Sequence, residues 1–267
     1  MAKRLELRGR SVLLTGASRG IGLAIARALA ARGARLALAA RRSLDLEKVA
    51  AELRASGAEA HALPLDLCDD ASVARGVERA RELLGGIEVL VNDAGVAHQA
   101  PFLELDPACV REEIELNYLG AVRTVRAVLP EMLARGSGTI LNVSSVLGCV
   151  AGPSVATYSA SKAALDAFTF ALRGELASRG VRVVLLVAPH TATEAGRSVR
   201  FDGVPMSQPA LVARHALRAL ERGPRRSFSG VGNRLLVAVS RLSPRLADRL
   251  MANTTRAVLQ RASSPRM

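Results

Sequence analysis

Short, continuously apolar runs alternate with amphipathic stretches along the chain as far as residue 189. The runs Leu36 to Ala39 and Val183 to Val187 contain no polar position, as expected of strands covered on both faces. The pattern predicts strands over Ser11–Thr15, Arg35–Ala40, Glu59–Leu65, Glu88–Val91, Thr139–Ser144 and Val181–Ala188. Between them it predicts helices over Gly20–Arg32, Leu44–Ala55, Ala71–Leu84, Pro107–Arg135 and Thr157–Arg179. Strand and helix in strict alternation imply an α/β fold: a doubly wound parallel sheet with helices on both faces, in three layers. After Pro189 the pattern loosens. A helix over Gln208–Glu221 and a short edge strand over Arg226–Ser229 are followed by two basic amphipathic stretches, Asn233–Leu242 and Pro244–Met251. Pro244 suits a first helical turn, with Ser243 as its cap. The expected organisation is one domain over residues 1–232 and a basic helical extension over 233–267, packed on that domain or trailing it.

Composition sharpens this picture. At 267 residues the chain can bury one large core, and with 3% aromatics that core must be built from Leu, Val, Ile and Ala. The net charge of +13 is unevenly spread. Residues 196–267 hold 14 Arg, no Lys and three acids (Asp202, Glu221, Asp248), a balance of +11, which leaves the rest of the chain nearly neutral. The basic segment admits three readings: a solvated helix pair, peripheral contact with an anionic membrane, or a partner or subunit contact. It carries no nucleic-acid reading module. Met1 to Arg10 lacks the apolar segment of a signal peptide, and no apolar run reaches membrane-span length. Cys68, Cys109 and Cys149 are odd in number and unpatterned, so reduced thiols in a cytoplasmic protein are expected. The four histidines show no ligand spacing with them, so no metal site is expected.

Two motifs carry chemistry. The first strand runs into Thr15-Gly16-Ala17-Ser18-Arg19-Gly20-Ile21-Gly22, which opens directly into a helix. Gly16 permits a sharp turn, and Gly20 and Gly22 allow close approach of backbone to a pyrophosphate at the helix N-terminus. The second motif is Tyr158-x-x-x-Lys162. Four-residue spacing on a helix puts both side chains on one face, one turn apart. The chain has two Tyr and three Lys against 34 Arg, so the use of Lys at this position is pointed. Reduction of a carbonyl builds negative charge on oxygen and needs a proton donor within reach. A nearby ammonium would lower the phenol's pKa and stabilise its phenolate. Upstream, Asn142-Val143-Ser144-Ser145 ends the fifth strand, where open α/β sheets meet their ligands.

From about Val12 to Pro189, two-thirds of its length, the chain resembles the short-chain dehydrogenase/reductase family, whose turn reads Thr-Gly-x-x-x-Gly-x-Gly. The resemblance implies a Rossmann fold, a nicotinamide cofactor, a small carbonyl or alcohol substrate, and homodimers or homotetramers. It implies Tyr158 as general acid/base, Lys162 as its electrostatic partner and ribose ligand, and Ser145, thirteen residues before the tyrosine, as the hydroxyl that positions substrate oxygen. Ser144 is then a backbone or packing hydroxyl. Asn117 matches the family's fourth catalytic residue, which holds a water that links the lysine to solvent. The cofactor set so implied is Gly16, Ser18, Arg19, Gly20, Ile21 and Gly22 in the turn, then Asp66 and Leu67 after the third strand. Asn92, Ala94 and Gly95 follow from Asn92-Asp93-Ala94-Gly95, where Asp93 departs from the family's second Asn. Pro189 is followed by His190 rather than the usual Gly, and Thr191 and Thr193 both compete for the nicotinamide contact. The second strand ends in Ala39-Ala40 and then Arg41-Arg42, without the carboxylate that would favour NAD. With Arg19 in the turn, these arginines point to NADP(H).

Around the expected pocket, His98 and His190 read as neutral hydrogen-bonding residues, and Cys149 as a candidate lining residue. Gly196 to Gln208 is expected to form a lid. Its mixture of Arg197, Arg200, Phe201, Val204 and Met206 leaves open a lipophilic substrate, a 3-oxoacyl-type ketone, or one with an anionic handle such as a thioester carrier. The expectation is an NADP(H)-dependent carbonyl reductase or alcohol dehydrogenase. Its rival is a nucleotide-binding regulator that keeps the fold without turnover.

Overall fold

The computed structural model describes residues 4–41 and 43–255. Arg42, expected at the cofactor site, and the extension beyond Thr255 lie outside the described residues. Seven strands form one parallel sheet: β1 (Ser11–Thr15), β2 (Arg35–Ala40), β3 (Ala60–Pro64), β4 (Val89–Asn92), β5 (Gly138–Ser145), β6 (Val181–Ala188) and β7 (Arg226–Phe228). Their order is β3-β2-β1-β4-β5-β6-β7. The chain therefore steps outward from β1 to β3, then returns to β4 on the other side of β1. The crevice that opens between the ends of β1 and β4 is the topological switch point, where such sheets take ligands.

Strand residues alternate between two cores. Val12, Leu14, Leu36 and Leu38 face α1 (Gly20–Ala30), α2 (Ser43–Ala55) and α8 (Pro209–Arg222). Leu13, Ala37 and Leu90 face α3 (Asp70–Leu84), α5 (Gly120–Arg135) and α6 (Ala156–Glu175). Every position of β1 is buried, which is why its sequence shows no polar alternation. A third cluster joins Leu185 and Val187 of β6 to Val237, Ala247 and Met251 of α9 (Val231–Leu242) and α10 (Pro244–Thr254). The two basic helices thus pack on the sheet's β6–β7 end. Pro244 starts α10 as expected, whereas Ser243 occupies the cap position without a side-chain capping bond. No helix among the described residues is long and apolar enough to cross a membrane.

The single helix expected over Pro107–Arg135 is three segments: α4 (Pro107–Ile114), a π-helical turn over Glu115–Leu119, and α5. A π turn carries one extra residue, and such turns commonly mark functional sites. Here it surrounds Asn117, whose side chain is clamped to the segment after β4. The helix expected over Thr157–Arg179 ends earlier, at Glu175.

Candidate active site

One cleft of about 780 Å³ spans the carboxyl edge of the sheet from Ala39 and Arg41 to Leu250 and Met251. Its floor is the glycine turn. Gly16 has φ +71°, and a Cβ there would sit 2.8 Å from the Ala94 backbone. A Cβ on Gly22 would sit 2.2 Å from the Gly16 carbonyl oxygen. The hydroxyl oxygen of Thr15 accepts from the Asp93 and Ala94 N–H groups at 3.2 and 3.4 Å, which ties the β1 and β4 ends together. The first-turn N–H groups of α1 have no helical acceptor, and Arg19 at the N-cap supplies no side-chain cap. The Gly22 N–H is taken by the Asp93 carboxyl, and a glycine cradle opening onto the remaining first-turn N–H groups can hold a dinucleotide pyrophosphate.

The expected cofactor contacts are placed unequally. Ser18, Arg19, Gly20, Ile21, Arg41, Leu67, Ala94, Gly95, Pro189, Thr191 and Thr193 all line the cleft. Asn92 does not: its amide donates to Asn142 Oδ1 at 2.9 Å and its Oδ1 accepts from Thr124 Oγ1 at 2.8 Å, inside the fold. Asp66 turns back to accept from the Cys68 N–H at 3.0 Å, leaving Leu65 and Leu67 on the wall. Arg19 is ion-paired with Glu194, and Arg41 lies 3.8 Å from Glu112, all four side chains exposed. Thr193 caps α7 (Glu194–Ser198) by accepting from Gly196 N–H at 2.9 Å and lies against Gly20. The Thr191 hydroxyl is given to the Pro189 carbonyl at 2.7 Å.

Ser145, Tyr158 and Lys162 come together on the opposite wall. β5 ends in Ser145, whose Oγ accepts from Leu147 N–H at 3.2 Å and hydrogen-bonds Tyr158. Burial pushes the Tyr158 phenol up to about 12, the Glu113 and Asp93 carboxylates adding to the rise and Ser145 opposing it. The expected lowering by Lys162 is not what the chain alone produces, because burial dominates. Tyr158 is therefore a neutral proton donor across the physiological range. Burial also lowers the Lys162 ammonium, while Asp93 and Asp166 pull it back up. Its Nζ donates to the Val143 carbonyl at 3.2 Å. Asn117 is buried and clips the segment after β4, donating to Val96 O and accepting from Val96 N–H, each at 2.8 Å. A Cβ on Gly95 would fall 2.9 Å from Asn117 Oδ1 and 3.3 Å from Lys162 Nζ, so Gly95 sits between the two. Ser144 is turned inward toward the Lys162 carbonyl at 3.5 Å and the Asp166 carboxyl, as a packing hydroxyl.

Several groups escaped sequence reasoning. Glu113, fully buried, accepts from His98 N–H at 2.8 Å and from Thr157 Oγ1 at 2.6 Å, holding α4 against α6. Asp93 is more than a substitution in a motif. Burial raises its carboxyl, while Lys162 and the Gly22 N–H hold it down. Asp166, one turn beyond Lys162, is buried 3.7 Å from Arg226. Cys149, expected in the cleft, instead donates its thiol to Asp166 at 3.4 Å, and burial pushes it up to about 12. His98 pairs with Glu112 at 2.9 Å, and His190 with the Gly196 carbonyl at 2.7 Å, edge-on to Phe201. Over the cleft, the segment expected as a lid contributes Val199, Phe201 and Val204. It is fastened by Ser207 N–H to His190 O at 2.8 Å and Asp202 N–H to Thr254 O at 2.6 Å.

Comparison with known proteins agrees with this geometry. A family model described as short chain dehydrogenase matches residues 10–202. The chain is 33% identical to the ketoacyl reductase HetN of Nostoc sp. over 257 residues, 91% of this chain and 88% of that one. It is 35% identical over 255 residues to a fatty acyl-CoA reductase of Mycobacterium tuberculosis, covering 92% and 85%. Among solved structures, a short chain dehydrogenase/reductase of Burkholderia phymatum in complex with NAD superposes with a TM-score of 0.83 at 25% identity, covering 91% of this chain and 97% of that one.

Proposed function

The chain belongs to the short-chain dehydrogenase family, and on that basis we propose that it interconverts a carbonyl and its alcohol with NADP(H), acting on substrates with an apolar chain. The observation that carries the reading is the meeting of Ser145, Tyr158 and Lys162 across one cleft from the glycine turn. When bound, the nicotinamide supplies or accepts hydride. The turn from Gly16 to Gly22 would hold the pyrophosphate, and Lys162 the ribose nearest the chemistry. Ser145 fixes the substrate oxygen beside Tyr158, whose neutral phenol delivers its proton as charge builds on that oxygen. Lys162 then stabilises the phenolate left behind, and Asn117 connects the lysine to the Val96 side of the cleft, through which the proton is restored.

Charge favours NADP(H). β2 ends without a carboxylate, and Arg19 and Arg41 stand at the cleft's edge. Their present partners do not preclude this role. An exposed ion pair is worth about 0–1 kcal/mol, and a phosphate that accepts a bidentate guanidinium competes with it readily. Val146, Leu147, Val199, Phe201 and Leu236 on the substrate side favour an apolar chain. The ketoacyl and fatty acyl-CoA reductases among its relatives are named for substrates of that kind. Oxidation of NADPH and NADH should be followed with linear ketones and aldehydes of increasing length. NADPH should be preferred and kcat/KM should rise with chain length. Dinucleotide binding without turnover on any carbonyl would instead favour a regulatory protein.

A further inference from the structure

The outer face of α9 and α10 bears apolar side chains that the fold leaves in solvent. Val231, Leu235 and Leu242 are 85%, 64% and 87% exposed. At 100° per residue they fall within about 40° of one another, on the side of α9 away from buried Val237. Leu246 and Leu250, nearly half exposed, extend the stripe along α10. Arg234, Arg241, Arg245 and Arg249 border it, with Asp248 the one acid between residues 231 and 255. Many arginines of the body are ion-paired, as in Arg27–Glu52, Arg35–Glu59 and Arg81–Glu131. Among the described residues none of these four is in an ion pair. The inner side of the same helices lines the cleft through Leu236 and Met251, with Leu250 at the rim between the two faces.

We propose that the α9–α10 face docks on an anionic lipid bilayer, with its leucines among the upper acyl chains and its arginines on the phosphates. Exposed leucines beside cations that have no internal counter-charge fit the boundary between headgroups and acyl chains. A second copy of the chain is a poorer occupant, because this face against itself would set arginines on arginines. Docking stands apart from the enzymatic reading. Only its consequence, a cleft mouth held at the membrane so that an apolar substrate enters from lipid, rests on that reading.

Full-length protein should be sedimented with vesicles of equal parts phosphatidylglycerol and phosphatidylcholine, and with vesicles of phosphatidylcholine alone. Partition onto the mixed vesicles should exceed that onto the neutral ones by at least about tenfold and fall with salt. The double variant Leu235→Asp/Leu242→Asp should lose at least about thirtyfold of that partition, since two apolar anchors become charges. Thermal unfolding monitors its fold, and turnover of a short water-soluble ketone should stay unchanged because neither residue lines the cleft. Arg241→Glu/Arg245→Glu should lose partition similarly. Failure of the wild type to bind mixed vesicles, or equal binding by the leucine variant, overturns the proposal. So does a dimer in gel filtration that the leucine variant dissociates, which would assign the face to a second copy.

Discussion

Replacing Gly22 with alanine would place a methyl carbon where the backbone already is. The new Cβ would lie 2.2 Å from Gly16 O and 2.8 Å from Asp93 Oδ2. Ordinary contact is roughly 3.5 Å, so the overlap with the carbonyl exceeds about 1 Å. Gly16 has little room to retreat, because the Ala94 backbone lies 2.8 Å from where a Cβ on it would sit. The first turn of α1 must therefore lift, at a cost of about 1–3 kcal/mol. Each N–H displaced from a charged phosphate loses about 1.5–3 kcal/mol more, which is roughly ten- to hundredfold in Kd per bond. Gly174→Ala is the control: it is also helical, but its Cβ would meet nothing within 4 Å. It should stabilise by about 0.5–1 kcal/mol and leave affinity alone. NADPH fluorescence titration and thermal unfolding give both quantities. If Gly22→Ala binds NADPH within about twofold of wild type, the assignment of the turn to pyrophosphate is wrong.

Other perturbations probe separate parts of the account. Ala40→Asp puts a carboxylate at the end of β2 and should lower the NADPH-over-NADH ratio of kcat/KM by at least about tenfold, an unchanged ratio counting against the charge argument. Burial holds the Asp93 carboxyl above its ordinary value of 3.8, to about 7. Between those limits the unfolded chain has released a proton that the native state retains, so the residue's contribution to stability falls as pH rises from about 4 to about 7. The Tm advantage of Asp93→Asn over wild type should therefore grow across that window, and a constant difference would show the carboxyl to be ordinary. Asn117→Ala leaves the Val96 N–H and C=O without their partners, which should cost about 2–4 kcal/mol by denaturant unfolding and depress kcat.

Much of this architecture was readable in the chain because burial on both faces of a parallel sheet leaves an uninterrupted apolar signature. Each strand is found within one residue of its expected ends. The glycine turn was readable from its spacing, and its Gly16–Gly22 contact is local, although Gly16 is also hemmed in by the distant Ala94 backbone. What could not be read depends on distant partners. The π turn at Glu115–Leu119 exists where Asn117 docks on Val96, across 21 residues of chain. Asn92 reads as a cleft residue by its motif, yet its amide is captured by Asn142, its neighbour in the β4–β5 register. Glu113 looks like any helical acid until His98 and Thr157 converge on it. The amphipathic pattern of α9 was visible, but which of its apolar residues point outward was decided by packing on β6 and β7.

The most direct test of the chemistry removes one oxygen atom. Tyr158→Phe should keep NADPH affinity within about twofold, since the ring still fills its half-buried place, and should lose at least about a thousandfold in kcat for carbonyl reduction. A Tyr158→Phe enzyme that retains a tenth or so of wild-type turnover would mean that the proton comes from elsewhere, and the assignment built on Ser145, Tyr158 and Lys162 would not stand.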